Sequence, residues 1–359
     1  MEGRGMPLSV VVGGQFGSEG KGKVALHAAR EKRAAFVVRV GGTNSGHTGV
    51  DGSGRIFALR QLPVSVLAPN SIAVLPPGAI IDPEIFIREV EMLGLDAGRV
   101  AVSPFASIIS QEDKDNEGSS GLVSGIGSTG SGTGAALLRR VSRSKDTQLA
   151  RDYEVLKPFI RSTTDLMREA LNRNEWVIIE GSQGFGLSLL HGGFYPHATS
   201  RDTTAAAFVG EAGLSPIDVR EIVLVIRTYP IRVAGNSGPL AGEIDWQTIA
   251  RQAQLPEGYR ELTTATRKVR RVGTFDAGLV RNAIAVNNPT GIVLNHFDYV
   301  DPNVHDHRVG FQGLNFLKEV EDGIGRRVDL VGTGPDVLLR REDLGGSQPT
   351  SKYSRQSER

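Results

Sequence analysis

The chain has 359 residues, enough for one large α/β domain or two smaller ones with an ample core. Lys plus Arg number 41 against 40 for Asp plus Glu, so bulk charge gives no reason to expect nucleic acid or an acidic surface as partner. The absence of Cys removes disulfides, thiolate metal sites and Cys nucleophiles together. In chain order, Leu8 to Val12 reads as a buried strand that feeds the loop GGQFGSEGKGKV, with a helix starting near Lys23. Residues 35–40 (AFVVRV) form a second apolar run, ending in the glycine-rich turn GGTNSGHTG. Ile72 to Leu75 reads as a short strand, then Asp82 and Pro83 open a helix that Gly94 closes. After a strand at 99–102, the polar, Gly/Ser-rich stretch 110–134 reads as a mobile loop. A helix at about 152–173, a strand at 176–179, the loop EGSQGFG and a helix at 201–212 follow. Further buried strands are expected at 219–226 and 291–294, with a helix at 275–286 between them.

Strands alternating with helices point to an α/β fold, like that of phosphate-loop NTPases: a doubly wound, mostly parallel sheet with helices on both faces. In such sheets ligands bind beyond the carboxyl ends of the strands, where these glycine-rich loops fall. Residues 1–344 read as a single domain and 345–359 as a polar, disordered tail. With no signal-peptide pattern and no apolar run near the roughly 18 residues of a membrane helix, the expected compartment is the cytoplasm, with neither membrane nor nucleic acid as partner.

Gly17 to Lys23 fits the G-x-x-x-x-G-K half of a phosphate loop, but Val24 stands where a Ser or Thr would hold magnesium. Backbone N–H groups in such a turn cradle anions, and Lys21 and Lys23 add positive charge. Gly125, Gly127 and Gly130 match the dinucleotide pattern, yet no strand precedes them, so the match is set aside for NAD. A loop histidine is commonly a plain surface residue; for His47, the preceding strand and flanking glycines make a catalytic imidazole the competing reading. The run 267–271 (RKVRR) reads as a local anion site rather than a nucleic-acid patch. His305, Asp306 and His307 lack a third ligand at helical spacing and read as surface.

Together these stretches resemble the adenylosuccinate synthetase family, from about Val10 to Asp336. The family's loop G-x-Q-W-G-D-E-G-K-G-K is similar to Gly13 to Lys23, and its N-A-G-H-T to Asn44 to Thr48. Its I-G-T-T-G-R-G is matched by Ile126 to Gly132, its E-G-A-Q-G by Glu180 to Gly184, its V-T-S-x-x-T-T by Ala198 to Thr204, and its S/T-T-G-P-D by Gly332 to Asp336. The resemblance implies a ligase that joins aspartate to a purine nucleotide: O6 attacks the γ-phosphate of a nucleoside triphosphate, and aspartate then displaces phosphate from C6. It assigns catalytic roles to Ser18, Lys21, His47 and Gln183, and magnesium to Ser18 and the Gly46 carbonyl. It puts nucleotides against Gly17, Glu19, Gly20, Gly22 and Lys23, and against Asn44, Gly46 and Thr48. Further nucleotide contacts fall on Ser128, Thr129, Arg143, Thr199, Arg232, Asp298, Gly332 and Gly334. Aspartate falls to Thr266, Arg270 and Arg271. Arg143 matches an arginine that reaches across a dimer interface, which implies a homodimer.

Three departures stand out. Ser18 occupies the place of the family's catalytic Asp. Val269 replaces an arginine that contacts the ribose 2′-hydroxyl. Asn295-His296-Phe297-Asp298 replaces the guanine-reading T-K-L-D, so its Lys is gone, and a pocket that stacks on His296 and Phe297 is expected. These changes look like the bacteriophage branch of the family that makes 2-aminoadenine nucleotides, acting in the host cytoplasm. The branch implies dGMP and L-aspartate as substrates and ATP or dATP as donor, with GTP as the other donor in view. An ordinary synthetase acting on IMP is the alternative, and an inactive nucleotide-binding regulator the third.

Overall fold

A computed structural model describes residues 5–263, 267–306 and 308–346. Leu8–Gly13 is fully buried and lies inside a nine-stranded sheet. From one edge the strands run Val337–Arg340, Leu330–Thr333, Gly291–Asn295, Val219–Arg227, Leu8–Gly13, Val177–Glu180, Phe36–Arg39, Ile72–Leu75 and Val100–Val102. Every neighbouring pair is parallel except the first, Leu330–Thr333 with Val337–Arg340. Both faces are covered, as parallel strands with continuous apolar runs require. Side chains alternate between two cores: Val10, Val12, Val38, Ile179, Leu224 and Leu294 enter one, and Val11, Val37, Ile178, Val225 and Val293 enter the other. Helices Thr163–Asn172, Ala205–Ala212, Ala277–Asn287 and Phe311–Ile324 supply the first core; Lys21–Lys32 and Pro83–Leu93 supply the second.

Asp82 caps the helix Pro83–Leu93 as expected, accepting from Glu84 N at 3.1 Å, with Gly94 left-handed at its end. The stretch read as a mobile loop, 110–134, is instead largely helical. Gln111–Ser119 starts at a capping box in which Ser110 and Asp113 satisfy each other's backbone N–H, and Leu122–Ile126 and Thr133–Val141 follow. The helix expected at 152–173 covers only Thr163–Asn172, after 3-10 turns that include Pro158. Gly345–Gly346, placed in the expected tail, pair in parallel with Arg308–Val309; the rest of that tail lies outside the described residues. A small antiparallel sheet of Ile231–Arg232, Arg271–Gly273 and Glu243–Ile244 packs on its own core of Tyr229, Trp246, Ile249, Val272 and Tyr299. No helix among the described residues is long and apolar enough to cross a membrane.

Candidate active site

Four sheet strands end in a polar residue at the same edge: Arg39, Glu180, Arg227 and Asn295, each buried. They lie beneath the glycine-rich loop and His47, with Arg227 and Asn295 bonded to loop carbonyls and Arg39 and Glu180 to the His47 ring. Gly17, Ser18 and Gly20 all have positive φ, at 93°, 57° and 89°, so the chain bends sharply before helix Lys21–Lys32. The loop is built around Glu19. Its Oε1 accepts from Gln15 N at 3.2 Å and Gly17 N at 2.8 Å, and its Oε2 pairs with Lys21 Nζ at 2.6 Å. Two successive loop carbonyls are anchored from strand ends: Ser18 O accepts from Arg227 Nη1 at 3.0 Å and Glu19 O from Asn295 Nδ2 at 2.7 Å. Such anchoring is what holds a non-glycine residue in left-handed backbone. No side chain caps the helix, so its first N–H groups and the buried Lys21 make an anion-binding end.

Gly22 lets that helix approach the next element: a Cβ there would meet His47 Cβ at 2.8 Å and Val64 Cγ1 at 2.7 Å. The contact sets His47, at the start of the hairpin His47–Val50 and Ile56–Leu59, beside the loop. His47 Nδ1 lies 2.6 Å from Glu180 Oε1, and its Nε2 lies 3.0 Å from Arg39 Nη1. Glu180 is held in turn by Val64 N, Ser65 N and Ser65 Oγ, at 3.1, 3.0 and 2.8 Å. Burial and the Arg39 guanidinium push the His47 pKa down to about 3 against the pull of Glu180. The imidazole is therefore neutral, with Nδ1 facing Glu180 Oε1 and Arg39 Nη1 close to both ring nitrogens. Gln183 follows on the same loop in left-handed backbone (φ 62°), and its buried Oε1 has no partner among the described residues.

Lys23 points away from the phosphate cradle and donates to the carbonyls of Gly334 and Val337 at 3.2 and 3.3 Å. Burial lowers its pKa to about 8, against Asp298 and Asp336, which raise it. Lys23 thus joins the loop to Gly332, Gly334 and Asp298. Asp298 Oδ1 and Asn295 Oδ1 are buried without partners among the described residues. Gly332 is required here: a Cβ would lie 1.7 Å from Asn295 Oδ1 and 2.9 Å from Lys23 Nζ. Gly332→Ala must displace Asn295 from Glu19, and a loss of about 1–3 kcal/mol in stability is expected; calorimetric melting checks it. Phe297 does not offer the stacking surface expected from sequence. It is fully buried against Phe316, with ring centroids 6.5 Å apart, while the His296 ring lies 5.2 Å from that of Tyr299.

The arginines divide into separate settings. Arg232 is buried, stacked 3.9 Å over the Phe16 ring and 4.9 Å from that of Phe194, and bonded to the Ser237 carbonyl; its Nε and Nη2 have no partner among the described residues. Burial and the neighbouring Arg271 lower its pKa to about 10. Arg271 forms a two-point pair with Glu243 at 2.7 Å and donates to Gly238 O. Arg270 pairs with Glu261 at 2.6 Å. Val269 is 40% exposed and bridges antiparallel to Leu262. Thr266 lies outside the described residues, as do the side chains of His305, Asp306 and His307.

Ser128 donates to Glu117 at 2.6 Å and Thr129 to Ser131 at 3.2 Å, on a loop tied to the Arg232 region by Asn236 Nδ2 to Gly125 O at 2.7 Å. Thr199 N bonds to Leu187 O at 2.8 Å, beyond the Gln183 loop. Asn44 and Gly46 are half-buried before His47, and Thr48 is exposed. Arg143 stands apart and exposed, past the helix Thr133–Val141. Sequence reasoning missed Arg39, Glu180, Arg227, Asn295 and Glu261 as site residues. For the first four a signal existed, a polar residue closing an apolar strand. Among the described residues no three His, Asp or Glu side chains group to hold a metal by themselves.

The sequence profile of the family described as adenylosuccinate synthetase matches residues 10–149 and 145–305. The chain is 35% identical over 340 residues to the adenylosuccinate synthetase of Methanococcus aeolicus, covering 92% of this chain and 98% of that one. It is 33% identical to that of Thermococcus sibiricus, over 92% and 97%. Among solved structures, cyanophage S-2L succinoaminodeoxyadenylate synthetase, bound to dGMP and dATP as an energy donor, is similar with a TM-score of 0.79 at 30% identity, over 94% of this chain and 96% of that one. The fully ligated adenylosuccinate synthetase of Plasmodium falciparum shares the fold, with a TM-score of 0.80 at 19% identity over 93% and 100%.

Proposed function

Because the chain belongs to the adenylosuccinate synthetase family of carbon–nitrogen ligases, we propose that it joins L-aspartate to C6 of dGMP. The product is N6-succino-2-amino-2′-deoxyadenylate, suited to the synthesis of 2-aminoadenine DNA. The observation that carries this reading is Ser18, held at the loop's turn where the family's loop places Asp. In support, the cyanophage enzyme of similar structure was solved with dGMP and dATP.

In the proposed reaction O6 of guanine bonds to the γ-phosphorus as the β–γ bridge breaks, releasing the nucleoside diphosphate. The N1 proton passes to water or phosphate, since a serine hydroxyl is too weak a base to take it unaided. The aspartate amine then bonds to C6 and inorganic phosphate departs. Lys21 and the uncapped helix end bind the phosphates, Gln183 orients the purine edge, and Arg270 and Arg271 take the aspartate carboxylates. The Gly46 carbonyl and Ser18 hydroxyl, both neutral oxygens, would hold a magnesium ion. Such an ion, when bound, would neutralise charge on the transferring phosphate. Leu138 and Val141, 71% and 67% exposed on the helix that leads to Arg143, support a homodimer through this face.

A second reading, addition of aspartate to IMP, is favoured by identity: 35% to the Methanococcus synthetase against 30% to the cyanophage enzyme. Mass spectrometry of reactions with dGMP, aspartate and ATP tests the first reading; a succinylated product at C6 is expected, and none from dGMP would overturn it. With Asp298 present and the family's Lys absent, ATP or dATP is the expected donor. Turnover with GTP alone, in the same assay, would contradict that. Val269 removes a donor that deoxyribose would leave without its 2′-hydroxyl partner. Val269→Arg is therefore expected to erode a preference for dGMP over GMP, measured as the ratio of the two kcat/KM values.

A further inference from the structure

Glu261 is half-buried, its side chain 10% exposed. Its Oε1 accepts from Arg227 Nη2 at 2.5 Å and Tyr299 OH at 2.9 Å. Its Oε2 accepts from Arg227 Nη1 at 3.2 Å and Arg270 Nη1 at 2.6 Å. The same Arg227 Nη1 donates to Ser18 O, while the Arg227 backbone exchanges hydrogen bonds with the Gln15 side chain at 2.9 and 3.1 Å. Arg227 is thereby clamped to the phosphate loop at both of its ends. Thr228 and the Tyr299 hydroxyl extend the network to the segment 295–299: Thr228 N donates to Asn295 O, Thr228 Oγ1 to His296 O, and Tyr259 OH lies 2.6 Å from Tyr299 OH. Burial alone would raise the Glu261 carboxyl, but Arg227, His296 and Arg270 hold it well below the usual carboxylate range. Glu261 is thus an anion shared between two guanidinium groups.

We propose that Glu261 is a positioning residue that couples the arginine loop to the phosphate loop through Arg227. This rests on the reading that Arg270 takes an aspartate carboxylate. Arg270 has two arrangements, paired with Glu261 or turned to a ligand carboxylate. When a ligand draws Arg270 away, the Glu261 charge is left to Arg227 and Tyr299. The Arg227 guanidinium is then held more firmly, and with it the left-handed backbone at Ser18 that the purine nucleotide meets. Because coupling free energies are reciprocal, a nucleotide seated at Ser18 strengthens dicarboxylate binding by the same factor. A buried ion pair is a weak source of stability, so its presence here fits a switching role.

Succinate is a suitable probe, since it has both carboxylates of aspartate but no amine and forms no C–N bond. The purine monophosphate that the enzyme turns over with aspartate, dGMP or IMP, is titrated calorimetrically with and without saturating succinate. Succinate is expected to tighten the nucleotide about 5-fold or more in the parent. Glu261→Gln reduces this factor to under about 2-fold while leaving the affinity without succinate within about 3-fold. Arg227→Lys keeps a charge beside Glu261 but cannot serve both of its oxygens and Ser18 O, so it loses the coupling too and carries the test if Glu261→Gln fails to fold. Tyr299→Phe removes one hydrogen bond from Glu261 without breaking the guanidinium link: its melting temperature falls, but the coupling stays. No effect of succinate in the parent, or undiminished coupling in folded Glu261→Gln or Arg227→Lys, overturns the proposal. Absence of aspartate-dependent turnover with either nucleotide would instead end the ligase reading.

Discussion

His47→Ala lowers kcat by roughly 10²–10³-fold, the loss typical of a removed group that stabilises transition-state charge. The fold is expected to survive, because Glu180 keeps Arg39, Val64 N, Ser65 N and Ser65 Oγ as partners. His47→Gln sharpens the point: it can still donate to Glu180 but cannot become a cation. The free enzyme holds the imidazole neutral, with a pKa near 3 set by burial and Arg39. Triphosphate charge arriving at Lys21 is expected to favour protonation of the ring, which would then offset charge on the transferring phosphoryl group. Single-turnover phosphate release with bound nucleotides separates chemistry from binding; a His47→Gln rate equal to that of the parent would remove His47 from the chemistry. The same depressed pKa makes a stability prediction. Between about pH 3 and 6.5 the unfolded chain protonates this residue and the native one does not, so stability falls as pH drops through that window and is unaffected above it. Urea midpoints at about pH 5 and about pH 7.5 should differ less in His47→Gln than in the parent.

Ser18→Asp lowers turnover of dGMP by about 5–150-fold, the equivalent of about 1–3 kcal/mol, and admits IMP or deoxyinosine monophosphate. Guanine carries an amino group at C2 beside N1–H. A carboxylate there can pair with both N–H groups at once, which binds the ground state without favouring attack by O6. The serine hydroxyl leaves room and accepts one hydrogen bond. The substitution should be tolerated by the fold, because the loop is anchored at this residue through its backbone: Arg227 Nη1 holds Ser18 O. Aspartate also tolerates left-handed backbone, which Ser18 adopts at φ 57°. Steady-state rates with dGMP and IMP check the prediction. Parent-like turnover of dGMP by Ser18→Asp would show that Ser18 is not the reason guanine is accepted.

The parallel sheet was legible because its strands are short apolar runs that end at glycine-rich loops, and those loops carry most of the site. The helix Gln111–Ser119 was not, because it buries Asp113 and Glu117 rather than an apolar stripe, and its signal was the capping box alone. Phe311–Ile324 was missed although Gly313, Leu317, Val320 and Ile324 recur at helical spacing; glycines at 313 and 323 obscure it. Within the site, loop residues such as Lys21 and His47 announced themselves by motif. Glu261 did not, since its role arises from contacts with Arg227, 34 residues earlier, and Tyr299, 38 later. The pocket expected to stack on Phe297 failed for a related reason: a short strand-end segment cannot tell from sequence which of its side chains turns into the core.

The central claim is that this member of the family acts on a 2-amino purine deoxynucleotide. The most direct measurement is a competition in one reaction, with dGMP and IMP at equal concentration, limiting enzyme, aspartate and ATP, and both succinylated products quantified. The ratio of products gives the ratio of kcat/KM values whatever the donor or the rate-limiting step. The account predicts the dGMP product in excess by roughly 10-fold or more; equal amounts, or an excess of the IMP product, would contradict it.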